Sequence, residues 1–348
     1  MKARLTLIGA ACAMSILAGV AQAQTVAASE ANAPAKVTVD NFKRAETDMY
    51  LARFAKQGGF GKLMHARQPA SIDNQTVIRM NRDTLYSFGV FDLDAGPLTV
   101  TMPDAGKRYM SMQIIDEDHY TPLVSYGAGS HTFTREQIGT RYVIVNIRTL
   151  FDPNDAADLR QVHALQDAVK VSQPAQGKLE LPAWDAAELK KAHDRVAGLG
   201  SLLPSSMKMF GKKGEVDPVR HLVGTAAGWG GLPERDATYM SAAPAGNDGK
   251  TVYRLEVKDV PVDSFWSISV YNAQGFFEKN QADAYTLNNI TAKRDANGAV
   301  RVQFGGCDGK VVNCLPVTPG WNYTVRLYRP HAEVLAGAWK FPAPQPVN

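Results

Sequence analysis

Cysteine is scarce in this chain: three in 348 residues, at Cys12, Cys307 and Cys314. There is no CxxC and no second cysteine pair from which to build a tetrahedral zinc site. The histidine patterns HxxxH, HExxH and HxH are equally absent, so no metal and no cofactor is predicted. Charge of one sign is not in excess: 38 basic residues face 34 acidic ones, which makes nucleic acid an unexpected partner. GxGxxG, GxxxxGK[ST] and GxSxG do not occur, and Gly129-Ser130 and Gly200-Ser201 lack the flanking residues of a nucleophile elbow. Rossmann, P-loop and α/β-hydrolase sites are therefore disfavoured. Past residue 20 no apolar run approaches the ~20 residues that a membrane span needs.

What is present begins at the N-terminus. Lys2 and Arg4 precede an apolar run over 5–20, and Ala21-Gln22-Ala23 follows as a small-x-small cleavage signature. This predicts a signal peptide (1–23) cut after Ala23, hence a periplasmic or secreted protein. Without it the chain has 325 residues, a charge of +2, and two cysteines in FGGCDGKVVNCLP (304–316). In an oxidising compartment they read as a disulfide, Cys307–Cys314, across the Asp308-Gly309 turn. The 45% hydrophobic content excludes wholesale disorder, and the length fits two domains. Gly 29 and Pro 19 make a turn-rich composition that leans towards β structure.

Residues 24–38 read as a flexible leader. A helix is expected next, capped by Asp40 or Asn41 and ending at Gly58-Gly59. From 76 the period falls to two: 76–80, 84–93, 98–102, 108–115 and 141–147 are short, β-branched and aromatic, and broken by turn residues, as in a sandwich or barrel. Residues 155–170 and 184–199 have helical periodicity, which suggests a helical connector. Strands return at 251–257, 265–271, 300–305 and 322–328. Trp266, Ile268 and Val270 alternate with Ser267, Ser269 and Tyr271, and Tyr323, Val325 and Leu327 with Thr324, Arg326 and Tyr328. Such alternation predicts sheets with one face buried. The halves also look alike: 108–120 matches 264–276, and 139–148 matches 320–329, in the same order. We read two related β-sandwich units, at 39–152 with the N-terminal helix and at 241–345, joined by a helical connector at 153–240.

Residues 77–94, 104–122 and 138–153 resemble the domain-of-unknown-function family 1254. GFFEKNQADAYTLNN (275–289) and NCLPVTPGWNYTVRLYRP (313–330) resemble its usual companion, family 1214, with 216–239 as the linking region. The resemblance spans about 42–342. It implies a secreted bacterial protein, mainly β, with two antiparallel jelly-roll-like β-sandwich domains and intervening helices. It brings no activity and no catalytic residues.

Four places carry candidate chemistry. Asn81-Arg82-Asp83-Thr84-Leu85-Tyr86 sets polar groups between strands: Asp83 as a general base or orienting group, and Asn81, Arg82 and Tyr86 as ligand contacts. An Asx turn explains the same residues. Asp116-Glu117-Asp118-His119-Tyr120 follows a strand, where His119 with Asp118 or Asp83 would make an acid/base pair and Tyr120 a ligand contact. A solvated acidic loop is the plain alternative, and a cation site there would need His65 or His131 from elsewhere. Arg326, Tyr328 and Tyr271, with Asn280, Tyr285 and Asn288 nearby, would suit a polar or anionic organic ligand, or else an inter-domain interface. Trp229 to Asp236 is a Gly-rich bend whose Glu234, Arg235 and Asp236 either line a cleft or form an elbow.

Two functions compete. One is a metal-independent hydrolase or lyase acting on a small polar or carbohydrate-like substrate, with His119, Asp83 and Asp118 catalytic and Arg326 as anchor. The other is a non-catalytic carbohydrate- or envelope-binding protein. Both take a small molecule or glycan as partner and leave homo-oligomerisation open.

Overall fold

The computed structural model describes residues 34–75 and 77–347. The expected signal peptide and Cys12 lie outside them, as does most of the leader. The described residues form sixteen strands in four sheets, none closed into a barrel, with helices between. All named strand pairs are antiparallel except one.

The N-terminal unit opens with α1 (Phe42–Lys56). Its five-stranded sheet runs β1 (Met64–His65), β2 (Thr84–Asp92), β7 (Tyr142–Leu150), β4 (Met110–Asp116), β5 (Leu123–Tyr126). A three-stranded sheet, β6 (Gly129–Phe133), β3 (Leu98–Met102), β8 (Lys170–Ser172), covers it. Leu98, Val100 and Met102 meet Met110, Met112, Ile114, Val143, Val145 and Ile147 in one core. Short α2 (Arg135–Ile138) closes with Gly139 at φ 86°, a conformation that suits glycine.

Asp155, Asp185 and Asp217 cap α3 (Ala156–Ala168), α4 (Ala186–Gly198) and α5 (Pro218–Ala227) by accepting first-turn backbone N–H groups. Phe42 and Ala45 of α1 pack on Leu189 and Ala226 of α4 and α5. The C-terminal unit has a four-stranded sheet β12 (Thr286–Asn288), β11 (Trp266–Tyr271), β15 (Asn322–Tyr328), β9 (Ala237–Ala242). The second is β14 (Cys314–Leu315), β13 (Val300–Phe304), β10 (Tyr253–Val257), β16 (Gln345–Pro346). Trp266, Ile268, Val270, Val325 and Leu327 meet Leu255, Val300, Val302 and Phe304 between them. Cys307–Cys314 is a disulfide, and a short α6 (Ala332–Leu335) follows β15.

Three expectations change. In the stretch 76–80, residue 76 lies outside the described residues, 77–79 are bend and turn, and 80 is irregular, so no strand forms there. The stretch read as a helical connector supplies a strand to each half: β8 pairs with β3, and β9 with β15. And β11 and β15 are buried on both faces. Their polar faces do not meet water, because they meet the other unit. Tyr109 lies edge-on to Phe265 and Tyr328, and the Tyr271 hydroxyl donates to the Met80 carbonyl at 2.8 Å.

The two central sheets share a pattern. Ser111, Arg148 and Tyr86 form one rung across β4, β7 and β2. Ser267, Arg326 and Tyr239 form the matching rung across β11, β15 and β9. Sequence matching aligned Arg148 with Arg329, but the ladder aligns it with Arg326, three residues earlier.

Candidate functional site

These two rungs face each other across the seam between the units. Arg148 is 5% exposed and Arg326 is 3% exposed. Among the described residues no carboxylate forms an ion pair with either. Arg148 donates to Gln113 Oε1 at 2.7 Å and to the Gly230 carbonyl at 2.6 Å, and lies 5.3 Å over the Tyr86 ring. Arg326 donates to Ser269 Oγ at 2.8 Å, to the Tyr271 oxygen at 2.8 Å, and to the carbonyls of Arg79 and Met80 at 2.8 and 3.3 Å. Buried guanidiniums are normally paired with an anion. Asp83 acts on Arg326, whereas the groups that act on Arg148 are the phenols of Tyr86, Tyr239, Tyr109 and Tyr328, so Arg148 is the open electrostatic demand.

Asn81 ties the seam together. Its Oδ1 accepts from the Asp83 backbone at 2.8 Å, which is the Asx turn anticipated above. Its Nδ2 lies within 3.2 Å of the Tyr86 hydroxyl and 3.1 Å of the Tyr328 hydroxyl. Burial alone would push the Tyr86 phenol up, but Arg148, the Asn81 amide and Arg326 outweigh it and hold that phenol below the usual range. Tyr328 moves the other way, raised by burial and by Tyr239 and Tyr86. Asp83 completes the floor: Oδ1 accepts from Asn288 Nδ2 at 3.3 Å and lies 3.1 Å from Thr286 Oγ1, while Oδ2 is buried without a partner. Ser267 Oγ is also buried and unpartnered.

So Asn81, Asp83, Tyr86, Tyr271, Arg326 and Tyr328 converge, although they span both halves of the chain. Arg82 does not join them; it donates to the Ala70 carbonyl and lies over the Tyr285 ring. Asn280 binds the Ala284 backbone.

The second candidate loop has a different character. His119 is 2% exposed and has φ 67°. Its Nε2 accepts from the Gly230 N–H at 2.8 Å, which leaves Nδ1 to donate to Thr225 Oγ1 at 2.9 Å. Burial, then His221 and Lys43, hold its pKa well below the usual value, so the ring is neutral. Neither nitrogen reaches a carboxylate. The expected His119–Asp118 pair does not form, because Asp118 binds Arg44 at 2.8 Å. Tyr120 stacks on His221 at 4.5 Å and accepts from Lys43. Asp116 is buried and pushed up to about 7 by burial, with Tyr120 N–H opposing and Asp118 adding to the rise. His65 and His131 are occupied with Ser87 and Ser125. Among the described residues no group of three or more His, Cys, Asp or Glu is placed to hold a metal.

Gly230 joins the two regions. Its N–H goes to His119 and its carbonyl to Arg148, so the histidine holds the peptide that orients the guanidinium. The bend after it is structural in part: Asp236 accepts from the Tyr126 hydroxyl at 2.9 Å. Arg148, Tyr239 and Gln113 were not singled out from sequence. Arg148 lies in an apolar strand, and the likeness of 139–148 to 320–329 sets it against Arg329, so its equivalence to Arg326 shows only in the strand ladders. Surface hollows exist elsewhere, one of about 690 Å³ along 60–62 and 171–176, but its only charged side chain is Lys62.

Comparison with known proteins bears on the architecture. Residues 60–137 match the family described as "Protein of unknown function (DUF1254)", and residues 237–332 match "Protein of unknown function (DUF1214)". The chain carries a DUF1254 segment followed by a DUF1214 segment. No curated protein matches it. The crystal structure of the VPA0106 protein from Vibrio parahaemolyticus is similar, with a TM-score of 0.68 at 16% identity, covering 89% of this chain and 98% of that one. An uncharacterized protein from Burkholderia cenocepacia aligns at a TM-score of 0.46 and 13% identity over 84% of each chain. At that identity the Vibrio structure speaks for the fold alone.

Proposed function

We propose that this DUF1254–DUF1214 protein is an exported lyase, built on two jelly-roll-like sandwiches, that acts on a small organic carboxylate held at the seam. One observation carries the reading: the buried Arg148 guanidinium has no carboxylate partner and lies over Tyr86, whose hydroxyl shares the Asn81 amide with that of Tyr328. The guanidinium favours a base at Tyr86, and burial favours a proton donor at Tyr328. A substrate carboxylate at Arg148 would be neutralised there, which makes the proton on its α-carbon easier to remove. Tyr86 takes that proton in its ionised form, which the neighbouring Arg148 favours. The electron pair forms the C=C bond as the β-carbon–oxygen bond breaks, and Tyr328 gives its proton to the departing oxygen. No step requires a metal.

The test is α-proton exchange in D2O, followed by NMR, for 3-hydroxy and 3-alkoxy carboxylates with the mature protein. Exchange above buffer that falls about 100-fold in Tyr86→Phe, with an unchanged melting temperature, supports the reading. A wild-type rate equal to buffer, or a Tyr86→Phe rate equal to wild type, overturns it. Non-catalytic binding is the second reading, favoured by the half-buried Tyr50–Trp229 stack. It predicts a bound carboxylate and no exchange.

A further inference from the structure

Beside Arg148 stands a wall of aromatic rings that the proton chemistry does not use. Phe88 lies two residues beyond Tyr86 on β2, so both face the seam. It pairs with Asn146, two residues before Arg148 on β7. Phe54 of α1 lies 4.5 Å from Phe88, and Trp229 lies 5.9 Å from Phe54 and is stacked at 4.1 Å on Tyr50. All four rings are half-buried, whereas Arg148 and Gln113 behind them are buried. The Trp229 indole N–H is already spent on Thr47 Oγ1 at 3.2 Å. Tyr50 and His119 both stack on Trp229, at 4.1 and 5.4 Å, so the ring surface left to a ligand is that of the half-buried Phe88 and Phe54.

From this we propose that the Arg148 seat takes an arylalkyl monocarboxylate, its ring on Phe88 and Phe54 and its carboxylate on the guanidinium. The proposal rests on the seam being an anion seat and names what that seat selects. Two residues along a strand span ~6.6 Å, about the reach from a phenyl ring to a carboxylate one or two carbons away. One carboxylate is expected rather than two, because Arg326 is committed to the Arg79 and Met80 carbonyls. A sugar acid fits less well, since its hydroxyls would face rings that cannot hydrogen-bond them.

Calorimetry on the mature protein with phenylacetate, 3-phenylpropanoate, acetate, galacturonate and phenylacetamide tests this. The expected result is that the aryl acids bind at least tenfold tighter than the other three, and that Phe88→Leu narrows the aryl-over-acetate ratio at least fivefold. Acetate or galacturonate binding as tightly as phenylacetate would overturn the aryl class and leave the anion seat standing. Phenylacetamide binding as tightly as phenylacetate would remove the role given to the charge. If no carboxylate binds, the seam reading falls with the proposal. An unaltered ratio in a folded Phe88→Leu protein would overturn the wall's role.

Discussion

Arg148 and Arg326 stand at the same rung of their sheets, each between a serine on one neighbouring strand and a tyrosine on the other. Each also donates diagonally, Arg148 to Gln113 and Arg326 to Ser269. Beyond that they diverge. Arg326 reaches out of its own unit to the carbonyls of Arg79 and Met80 and pins the turn that carries Asn81 and Asp83. Arg148 stays with its own half and the Gly230 peptide, and stacks on a tyrosine whose phenol it acidifies. The same residue at the same ladder position is a joint in one sheet and, in the reading proposed above, an anion seat in the other. Buried charge alone does not mark a site; the difference lies in where the donors are spent.

The largest expected effect is on the joint. Arg326→Met strands two backbone carbonyls at the seam, and loss of a buried charged hydrogen-bond set costs about 3–5 kcal/mol. Urea unfolding measures it; a loss below about 1 kcal/mol would show that the joint is not Arg326. Next, the two rung tyrosines should separate. Tyr86→Phe removes the proton acceptor and lowers turnover about 100-fold with little change in stability. Tyr239→Phe loses only the bond its oxygen accepts from Leu232 N–H, at about 1 kcal/mol of stability, and leaves turnover within a few-fold. Equal losses of turnover would erase the proposed asymmetry between the rungs.

His119→Ala sits third. It removes both hydrogen bonds of a buried ring while the backbone still has to adopt φ 67°, so a cost of about 2–3 kcal/mol is expected. It should also weaken carboxylate binding, because Gly230 is freed to turn away from Arg148. Wild-type turnover should show no inflection from this ring near its ordinary pKa of about 6.5, since burial keeps it neutral. An inflection there that vanishes in the variant would restore His119 as an acid/base group.

The sandwich strands were legible because period-2 alternation is local: Trp266, Ile268 and Val270 announce a core face by themselves. The seam was legible only in pieces. Asn81, Tyr86, Tyr271, Arg326 and Tyr328 stood out as polar groups near strands, yet nothing local says that the second face of β11 is covered by another sheet. That burial is a tertiary fact, and it turns a solvated row into a site. His119 misled for the opposite reason. A histidine among Asp116, Glu117 and Asp118 suggests an acid/base pair, but strand-end geometry sends Asp118 to Arg44 and the ring inward to Thr225. Arg148 was passed over because Val143, Ile144, Val145 and Ile147 made its strand read as core.

The smallest effect tests whether acidity reaches one rung and not the other. Asp116 begins the loop that carries His119, and through Gly230 that loop borders Arg148 alone. Its carboxyl is raised to about 7 by burial, against about 3.9 in an unfolded chain. Between those values the folded state holds a proton that the unfolded state has lost, so stability falls as pH rises from about 4 to 7 and then levels. Asp48, raised to about 6 chiefly by burial, adds to the same slope over a shorter range. Asp116→Asn keeps an acceptor for the Asp118 and Tyr120 N–H groups and removes the titration. Unfolding from pH 4.5 to 8.5 should therefore show a slope flattened by about 1 kcal/mol per pH unit below pH 7, with Asp48 supplying the remainder. Carboxylate binding should lose pH dependence in step. The same substitution should leave the cost of Arg326→Met constant across this range, because no contact links the Asp116 loop to that joint. A pH-dependent cost at Arg326 would mean that the two arginines are coupled through the seam and act as one site.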